Sequence, residues 1–168
     1  PENAEALTMA VALAEKTGAD LVIATDPDCD RMGIAARSAD GSLKLFTGNQ
    51  TGSLIAWYRI KTMFDRGTLT PENRANAAII KTFVTTDLQK TIAARHGIRC
   101  VDTLTGFKYI GAKLGKYENA LPPEARAHYR DLAEPASRAL RLAHSTYYVF
   151  GGEESYGYSA GDFVRDKD

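Results

Sequence analysis

Three aspartates in the N-terminal part of the chain have the side chains and the spacing to bind a metal ion. Asp26, Asp28 and Asp30 occupy alternate positions shortly after the apolar run 21–24. Alternate side chains of an extended segment point in the same direction, so we expect the three carboxylates to converge on one hard divalent cation. A solvated acidic turn is the simpler alternative, because aspartate and proline are also common in ordinary turns.

An EF-hand is the first named alternative for these aspartates. An EF-hand loop that began at Asp26 would need glycine at its sixth position and glutamate at its twelfth. The chain has Arg31 and Arg37 at those positions, and strand-like runs flank the segment where an EF-hand would have helices. The sequence therefore excludes an EF-hand.

Two further polar clusters follow predicted strands, one after the strand over 98–103 and the other after the strand over 147–150. Their members are Thr105, Gly106 and Lys108 in the first cluster and Glu153 and Ser155 in the second. Taken alone, a Thr-Gly pair is more often a helix N-terminus and a Glu-Glu pair is more often solvated surface. In α/β proteins, however, ligands gather at the carboxyl ends of strands. We therefore expect both clusters and the aspartates to line one cleft.

The chemistry of the three clusters fits phosphoryl transfer. Carboxylates and a divalent cation suit this reaction, because the metal offsets charge on the transferring oxygens. Lys108 supplies a positive charge that can meet a phosphate, or can lose its proton if it is desolvated. Glu153 and Ser155 can accept and donate hydrogen bonds to sugar hydroxyls.

Alternating helices and strands must position these clusters. The pattern predicts helices over 4–16, 50–66, 86–96 and 106–117, and strands over 21–24, 31–36, 43–46, 77–82, 98–103 and 147–150. A hairpin turn is expected at Asp40 and Gly41. This order indicates an α/β architecture. The charged, alanine-rich stretch 120–143 carries no recognisable chemistry.

Composition sets the outer limits. The chain has 168 residues, of which 44% are hydrophobic, and its 21 basic and 21 acidic residues balance. Nothing therefore suggests a nucleic-acid partner, and no run approaches the ~20 apolar residues of a membrane span. The two cysteines are far apart in the sequence, which favours reduced thiols and a cytoplasmic location. Because the chain opens with Pro1 on a helix start, we expect it to be a piece of something longer.

Taken together, the motifs resemble those of the α-D-phosphohexomutase family, which includes phosphoglucomutases and phosphomannomutases. The matching strings, in the family's order, are ATDPDCDRMGIA, TGNQTGSLIAWY, IIKTFVTTDL, TLTGFKYIGAKL and GGEESYGYSAGDFVRDKD. The resemblance implies three-layer α/β/α domains with a mixed sheet, within a four-domain parent enzyme. Residues 1–42 would be the end of its second domain, with the metal-binding loop. Residues 43–168 would be most of its third domain, with the sugar-binding loop.

The resemblance also implies roles for the clusters. The three aspartates would hold one Mg²⁺, and Arg31 would act in catalysis by contacting the phosphoserine region. Lys108 would transfer a proton or supply charge in catalysis. The substrate-binding residues would be Lys81, Thr105, Gly106, Lys108, Glu153 and Ser155.

The family mechanism moves a phosphoryl group between the 1- and 6-positions of a hexose phosphate. It runs through a phosphoserine and a hexose 1,6-bisphosphate, so glucose 1,6-bisphosphate is the expected intermediate or activator. The sequence contains no Ser-His-Asn string for the nucleophile. The expected partners are therefore the hexose phosphate and the remaining domains of the parent chain, and we expect residues 1–168 alone to be inactive.

Two alternatives to a phosphohexomutase remain open. In a haloacid-dehalogenase-type phosphotransferase, Asp26 would be the nucleophile and Asp28 the acid or base, but that motif favours Thr or Val where this chain has Asp30. A non-catalytic module that binds sugar phosphate or metal is the other alternative.

The string GGEESYG resembles the glucose and mannose branches of the family more than the phosphoglucosamine branch, and we expect glucose phosphate to be the substrate.

Overall fold

A computed structural model describes residues 2–167 of the chain, which form two β-sheets with helices packed against them. The elements in chain order are α1 (Ala4–Thr17), β1 (Leu21–Thr25), β2 (Met32–Arg37), β3 (Leu43–Leu45), α2 (Gly48–Asp65), β4 (Ala77–Thr82), α3 (Leu88–His96), β5 (Arg99–Thr103), α4 (Phe107–Asn119), α5 (Pro123–Ala127), α6 (Glu134–His144), β6 (Tyr147–Gly152) and β7 (Tyr158–Ser159). Every predicted helix and strand is present, with ends that differ by a few residues. Helices α5 and α6 and strand β7 were not predicted.

The first sheet is antiparallel, with the strand order β1-β2-β3. Its β2–β3 hairpin turns at Asp40 and Gly41, as predicted, and Gly41 has the left-handed φ of 83° that such a turn requires. Val22 and Ala35 pack against α1 on one face of this sheet. On strand β1 the side chain of Ile23, which alternates with Val22, remains 60% exposed. Helix α1 therefore covers only one face.

The second sheet is mixed and has helices on both faces. Strand β4 pairs in parallel with β5 and β6, and β7 adds to β6 in the antiparallel direction. Ile79 packs with α2 and α3, whereas its neighbour Ile80 packs with α4. Since successive side chains of a strand point to opposite faces, β4 is buried on both sides. This arrangement confirms the predicted three-layer α/β/α architecture with a mixed sheet.

Helix α2 begins at a capping box, in which the Thr47 side chain accepts from the Gln50 backbone N–H and the Gln50 side chain accepts from the Thr47 backbone N–H. Three of its large apolar side chains lie outside the buried face. Leu54, Trp57 and Tyr58 are exposed, and the buried positions carry small residues or isoleucine: Gly48, Thr51, Gly52, Ser53, Ala56 and Ile60. Small side chains let α2 approach the sheet closely. Within residues 2–167, no helix is long and apolar enough to cross a membrane.

Candidate functional site

The segment from Asp26 to Asp30 is a turn between β1 and β2, and our assumption of an extended segment was wrong. Cys29 has a left-handed φ of 59°, and its backbone N–H donates to the Asp26 carbonyl oxygen at 3.0 Å. Each of the three aspartates nevertheless offers a carboxylate oxygen, and these oxygens lie within 4.8 Å of one another. The convergence comes from the reversal of the chain rather than from strand alternation.

Arg31 holds the buried carboxylate of this turn. Its Nε lies 2.5 Å from Oδ2 of Asp26, and its backbone N–H donates to Oδ1 at 3.1 Å. Burial by itself would raise the pKa of Asp26, but the hydrogen bonds and the charge of Arg31 outweigh it and lower that pKa. Asp26 is therefore held in its ionised form. The guanidinium also pairs with Glu2 at 2.6 Å.

The three carboxylates fit a divalent cation by the chemistry of their donors. Mg²⁺ and Mn²⁺ prefer oxygen ligands, and Mg²⁺ is usually bound through one or two carboxylates plus waters or substrate phosphates. Asp28 is exposed and Asp30 is half-buried, so both carboxylates can be reached from solvent. Asp26, Asp28 and Asp30 are the residues that would hold the ion.

The two other polar clusters lie together at the carboxyl edge of the mixed sheet. The buried Glu153 follows β6, and its Oε1 accepts the backbone N–H of Gly106 at 2.8 Å. Gly106 has a φ of 110°, which a residue with a side chain rarely adopts, and it turns its N–H toward Glu153 at the start of α4. Thr105 is exposed and Ser155 is half-buried beside them.

Two contacts connect the aspartate turn to this edge. The backbone N–H of Met32, at the start of β2, donates to the carbonyl oxygen of Tyr156 at 3.0 Å. The ammonium of Lys167 lies 2.9 Å from Oδ2 of Asp30 and 3.7 Å from Oε2 of Glu153. All three polar clusters therefore share one region of the molecule.

Lys167 is a site residue to which our sequence reasoning gave no role. Burial by itself would lower its pKa, but the hydrogen bond with Asp30 and the charges of Asp30 and Glu153 outweigh it and raise the pKa. Lys167 therefore stays protonated. Lys167 lies near the end of the last matching string, beside the charged residues Arg165 and Asp166. Nothing in the sequence pattern indicates which of these charges belongs to the site.

Glu154 holds the loop that follows β6 in place through its side chain. Its Oε2 lies 3.0 Å from the hydroxyls of both Thr82, the last residue of β4, and Thr85, three residues further on. The backbone of Glu154 also lies against the first turn of α2. A Cβ at position 48 would collide with the Glu154 carbonyl oxygen, so α2 has to begin with glycine. The sequence offered no signal for this support, because the second glutamate of a Glu-Glu pair looks like solvated surface.

The two lysines predicted to line the substrate site occupy different surroundings. Lys81 is fully buried, and its ammonium contacts the Thr85 carbonyl oxygen at 2.9 Å and the Asp102 carboxylate at 2.9 Å. Lys108 is exposed on the first turn of α4, with its ammonium 5.1 Å from the centre of the Tyr109 ring. Lys108 is thus free to meet a ligand, whereas in this arrangement the Lys81 ammonium already has partners. The roles of both remain predictions.

Two family profiles match the chain. Residues 1–41 match "Phosphoglucomutase/phosphomannomutase, alpha/beta/alpha domain II" and residues 47–134 match "Phosphoglucomutase/phosphomannomutase, alpha/beta/alpha domain III". The second match alone includes more than half of the residues. The chain therefore belongs to the phosphoglucomutase/phosphomannomutase family, as the resemblance predicted. Membership in this family decides against the haloacid-dehalogenase alternative.

Individual relatives agree with this family. The chain is 36% identical over 168 residues to a phosphoglucomutase of Staphylococcus epidermidis, covering all of this chain and 25% of the relative. It is also 36% identical over 168 residues to the phosphoglucomutase of Staphylococcus aureus strain N315, covering 24% of that protein. The chain thus spans about a quarter of the length of the curated relatives it matches.

Solved structures show the same fold at lower identity. A Thermus thermophilus protein provisionally named a phosphomannomutase aligns with a TM-score of 0.63 and 22% identity, over 99% of this chain and 28% of its own. A Burkholderia thailandensis protein of the phosphoglucomutase/phosphomannomutase family aligns with a TM-score of 0.60 and 16% identity, over 98% of this chain and 26% of its own.

Proposed function

We propose that these residues supply the metal-binding turn and the sugar-binding loop of a phosphoglucomutase. The proposed reaction moves a phosphoryl group between the 1- and 6-positions of a hexose phosphate through a phosphoserine and a hexose 1,6-bisphosphate. Glucose phosphate is the proposed substrate, because the string GGEESYG resembles the glucose and mannose branches and the curated relatives are named phosphoglucomutases. The serine nucleophile would come from outside these residues.

One observation carries the proposal. The aspartate turn lies in the range that matches domain II, and Glu153 lies beyond it on the mixed sheet, yet Lys167 contacts Asp30 and Glu153 at once. Phosphoryl transfer to a sugar requires the phosphoryl-binding and sugar-binding groups to be held side by side. The geometry supports this requirement.

Each group would then have a distinct task. Asp26, Asp28 and Asp30 would hold a divalent cation, which when bound offsets the charge on the phosphoryl oxygens. Glu153, positioned by its hydrogen bond from Gly106, would accept hydrogen bonds from sugar hydroxyls. The exposed ammonium of Lys108 would attract the phosphate or exchange a proton with the reacting hydroxyl.

A coupled glucose 6-phosphate dehydrogenase assay tests the proposal on the full gene product that contains these residues. We expect it to convert glucose 1-phosphate. Lys108→Ala should lower kcat strongly, because Lys108 would act on the reacting oxygen. Glu153→Ala should raise KM, because the sugar would lose a fixed acceptor. Lys116→Ala is the matched control, since Lys116 is exposed on the same helix but lies at its far end, and its kinetics should equal those of wild type.

The same assay contains the results that would overturn the proposal. A gene product inactive on glucose 1-phosphate, mannose 1-phosphate and glucosamine 1-phosphate would favour the non-catalytic module. A clear preference for the amino sugar would overturn the choice of glucose. Turnover by residues 1–168 alone, free of host mutase, would show that the nucleophile lies within them.

A further inference from the structure

The segment 160–167, which we call the strap, connects the far side of the mixed sheet with the candidate site. At its start, the Ala160 carbonyl oxygen accepts from Nη2 of Arg59 at 2.8 Å. Two side-chain anchors follow, the first at Asp162 and the second at Arg165. Lys167, the residue between Asp30 and Glu153, lies only two positions beyond the second anchor.

The first anchor is a buried polar network around Asp162. The carboxylate of Asp162 pairs with Nη2 of Arg141 at 2.8 Å and accepts a hydrogen bond from the Tyr129 hydroxyl. Burial raises the pKa of Tyr129 to about 12, so the hydroxyl keeps its proton and can donate it. Arg141 is only 1% exposed and also lies over the Tyr129 ring, 4.5 Å from its centre. A buried charge of this kind needs its partner, so it should hold the strap strongly.

The second anchor lies on α4. Arg165 pairs with the buried carboxylate of Glu118, which also accepts from Nε of Arg130 at 3.0 Å. The strap lies directly on the helix here, because a Cβ at Gly111 would be 2.5 Å from the Arg165 carbonyl oxygen. Any side chain at position 111 would therefore force the strap away from the helix.

Half of the side chains in these two anchors come from the stretch 120–143, for which the sequence suggested no task. Tyr129, Arg130 and Arg141 all lie in it. We infer that Tyr129, Arg141 and Asp162, together with Glu118 and Arg165, are positioning residues that hold Lys167 between Asp30 and Glu153. This inference rests on the proposed function only in that Asp30 and Glu153 belong to the proposed site.

The position of Lys167 has a measurable consequence for the aspartate turn. Its ammonium occupies an Asp30 oxygen and places a positive charge beside the group that would bind a cation. Both effects weaken cation binding. Removing the charge of Lys167 should therefore strengthen cation binding. Releasing the strap should strengthen it too, because the ammonium would no longer be held beside Asp30.

Mn²⁺ binding to the 168-residue chain, followed by water-proton relaxation, tests the inference. Lys167→Met should raise the Mn²⁺ affinity about tenfold, the effect of one charge a few ångströms away in a solvated site. Asp162→Asn keeps the shape of the first anchor but removes its charge. The strap should then hold Lys167 less firmly beside Asp30, and the Mn²⁺ affinity should rise about threefold. In a Lys167→Met background, Asp162→Asn should change nothing, because it acts through Lys167. Asp65→Asn, which breaks the Lys61–Asp65 pair on α2, is the matched control and should match wild type.

Amide chemical shifts of Asp30 and Gly157 provide a second readout that needs no metal. Gly157 is suitable because the Lys167 stem lies against it. Asp162→Asn should move both resonances in the direction that Lys167→Met moves them. The inference is overturned if Asp162→Asn leaves affinity and shifts unchanged, or if it has the same effect with and without Lys167. If wild type binds no Mn²⁺, the proposed metal site fails, and the chemical shifts alone decide whether the strap positions Lys167.

Discussion

The two sheets of this molecule support their loops in different ways. In the mixed sheet every residue of β4 and β6 is buried, and Glu153 continues directly from that core. In the antiparallel sheet, β1 alternates buried and exposed side chains, and Leu21 and Ile23 on its outer face are 51% and 60% exposed. The loop that carries Glu153 therefore continues from a core buried on both faces, whereas the aspartate turn connects two strands of a sheet that is covered on one side.

This difference explains why the contacts between the turn and the mixed sheet matter. The Met32–Tyr156 hydrogen bond and the Lys167–Asp30 ion pair connect the less covered sheet to the sheet whose central strands are buried on both faces. A half-covered sheet has less apolar burial to hold its geometry. We therefore expect the position of the aspartates to depend on the mixed sheet, and the position of Glu153 to depend little on the aspartate turn.

The same substitution in the two sheets should show the largest contrast. Ile80→Ala empties a fully buried site and should lower the free energy of unfolding by about 2–5 kcal/mol. Ile23→Ala removes a side chain that is 60% exposed and should cost about 0.5 kcal/mol. Urea unfolding followed by circular dichroism measures both. Equal losses would mean that the outer face of the antiparallel sheet is covered in solution, and the comparison would fail.

The two cysteines should show a smaller contrast, in reaction rate. Cys29 is exposed in the aspartate turn, whereas Cys100 is partly buried on β5, and burial raises the pKa of its thiol to about 11. Because the thiolate is the reactive form, Cys100 should react slowly with iodoacetamide at pH 8 and faster as the pH rises toward 11. Peptide mass mapping over time should find Cys29 modified first. Faster modification of Cys100 at pH 8 would show that β5 opens in solution.

Local patterns predicted the elements of the fold, because each depends on neighbouring residues. The Asp40-Gly41 turn and the apolar stretches 77–80 in β4 and 147–150 in β6 follow from short stretches of sequence. The carboxylate cluster was also found, although for a wrong conformational reason. Its convergence needs the left-handed Cys29, and cysteine is not a residue that suggests such a backbone.

What could not be predicted from the sequence depends on contacts between distant residues. Lys167 meets Asp30 across more than a hundred residues, and Asp162 is held by Arg141 and Tyr129 from a stretch that looked featureless. The burial of Lys81 was likewise unexpected, since its partner Asp102 belongs to the neighbouring strand. Charge pairs of this kind have no fixed sequence spacing, so only the fold reveals them.

Mn²⁺ binding by wild type and Asp28→Asn is the most direct test of the central claim that the aspartate turn is a metal site. Asp28 is exposed and, within residues 2–167, its side chain has no ion-pair partner, so the substitution should not disturb the fold. Asp131→Asn, on a surface aspartate outside the site, is the control. We expect weak binding by wild type and by the control, and a loss of about tenfold or more for Asp28→Asn. Equal affinity in wild type and Asp28→Asn would contradict the assignment.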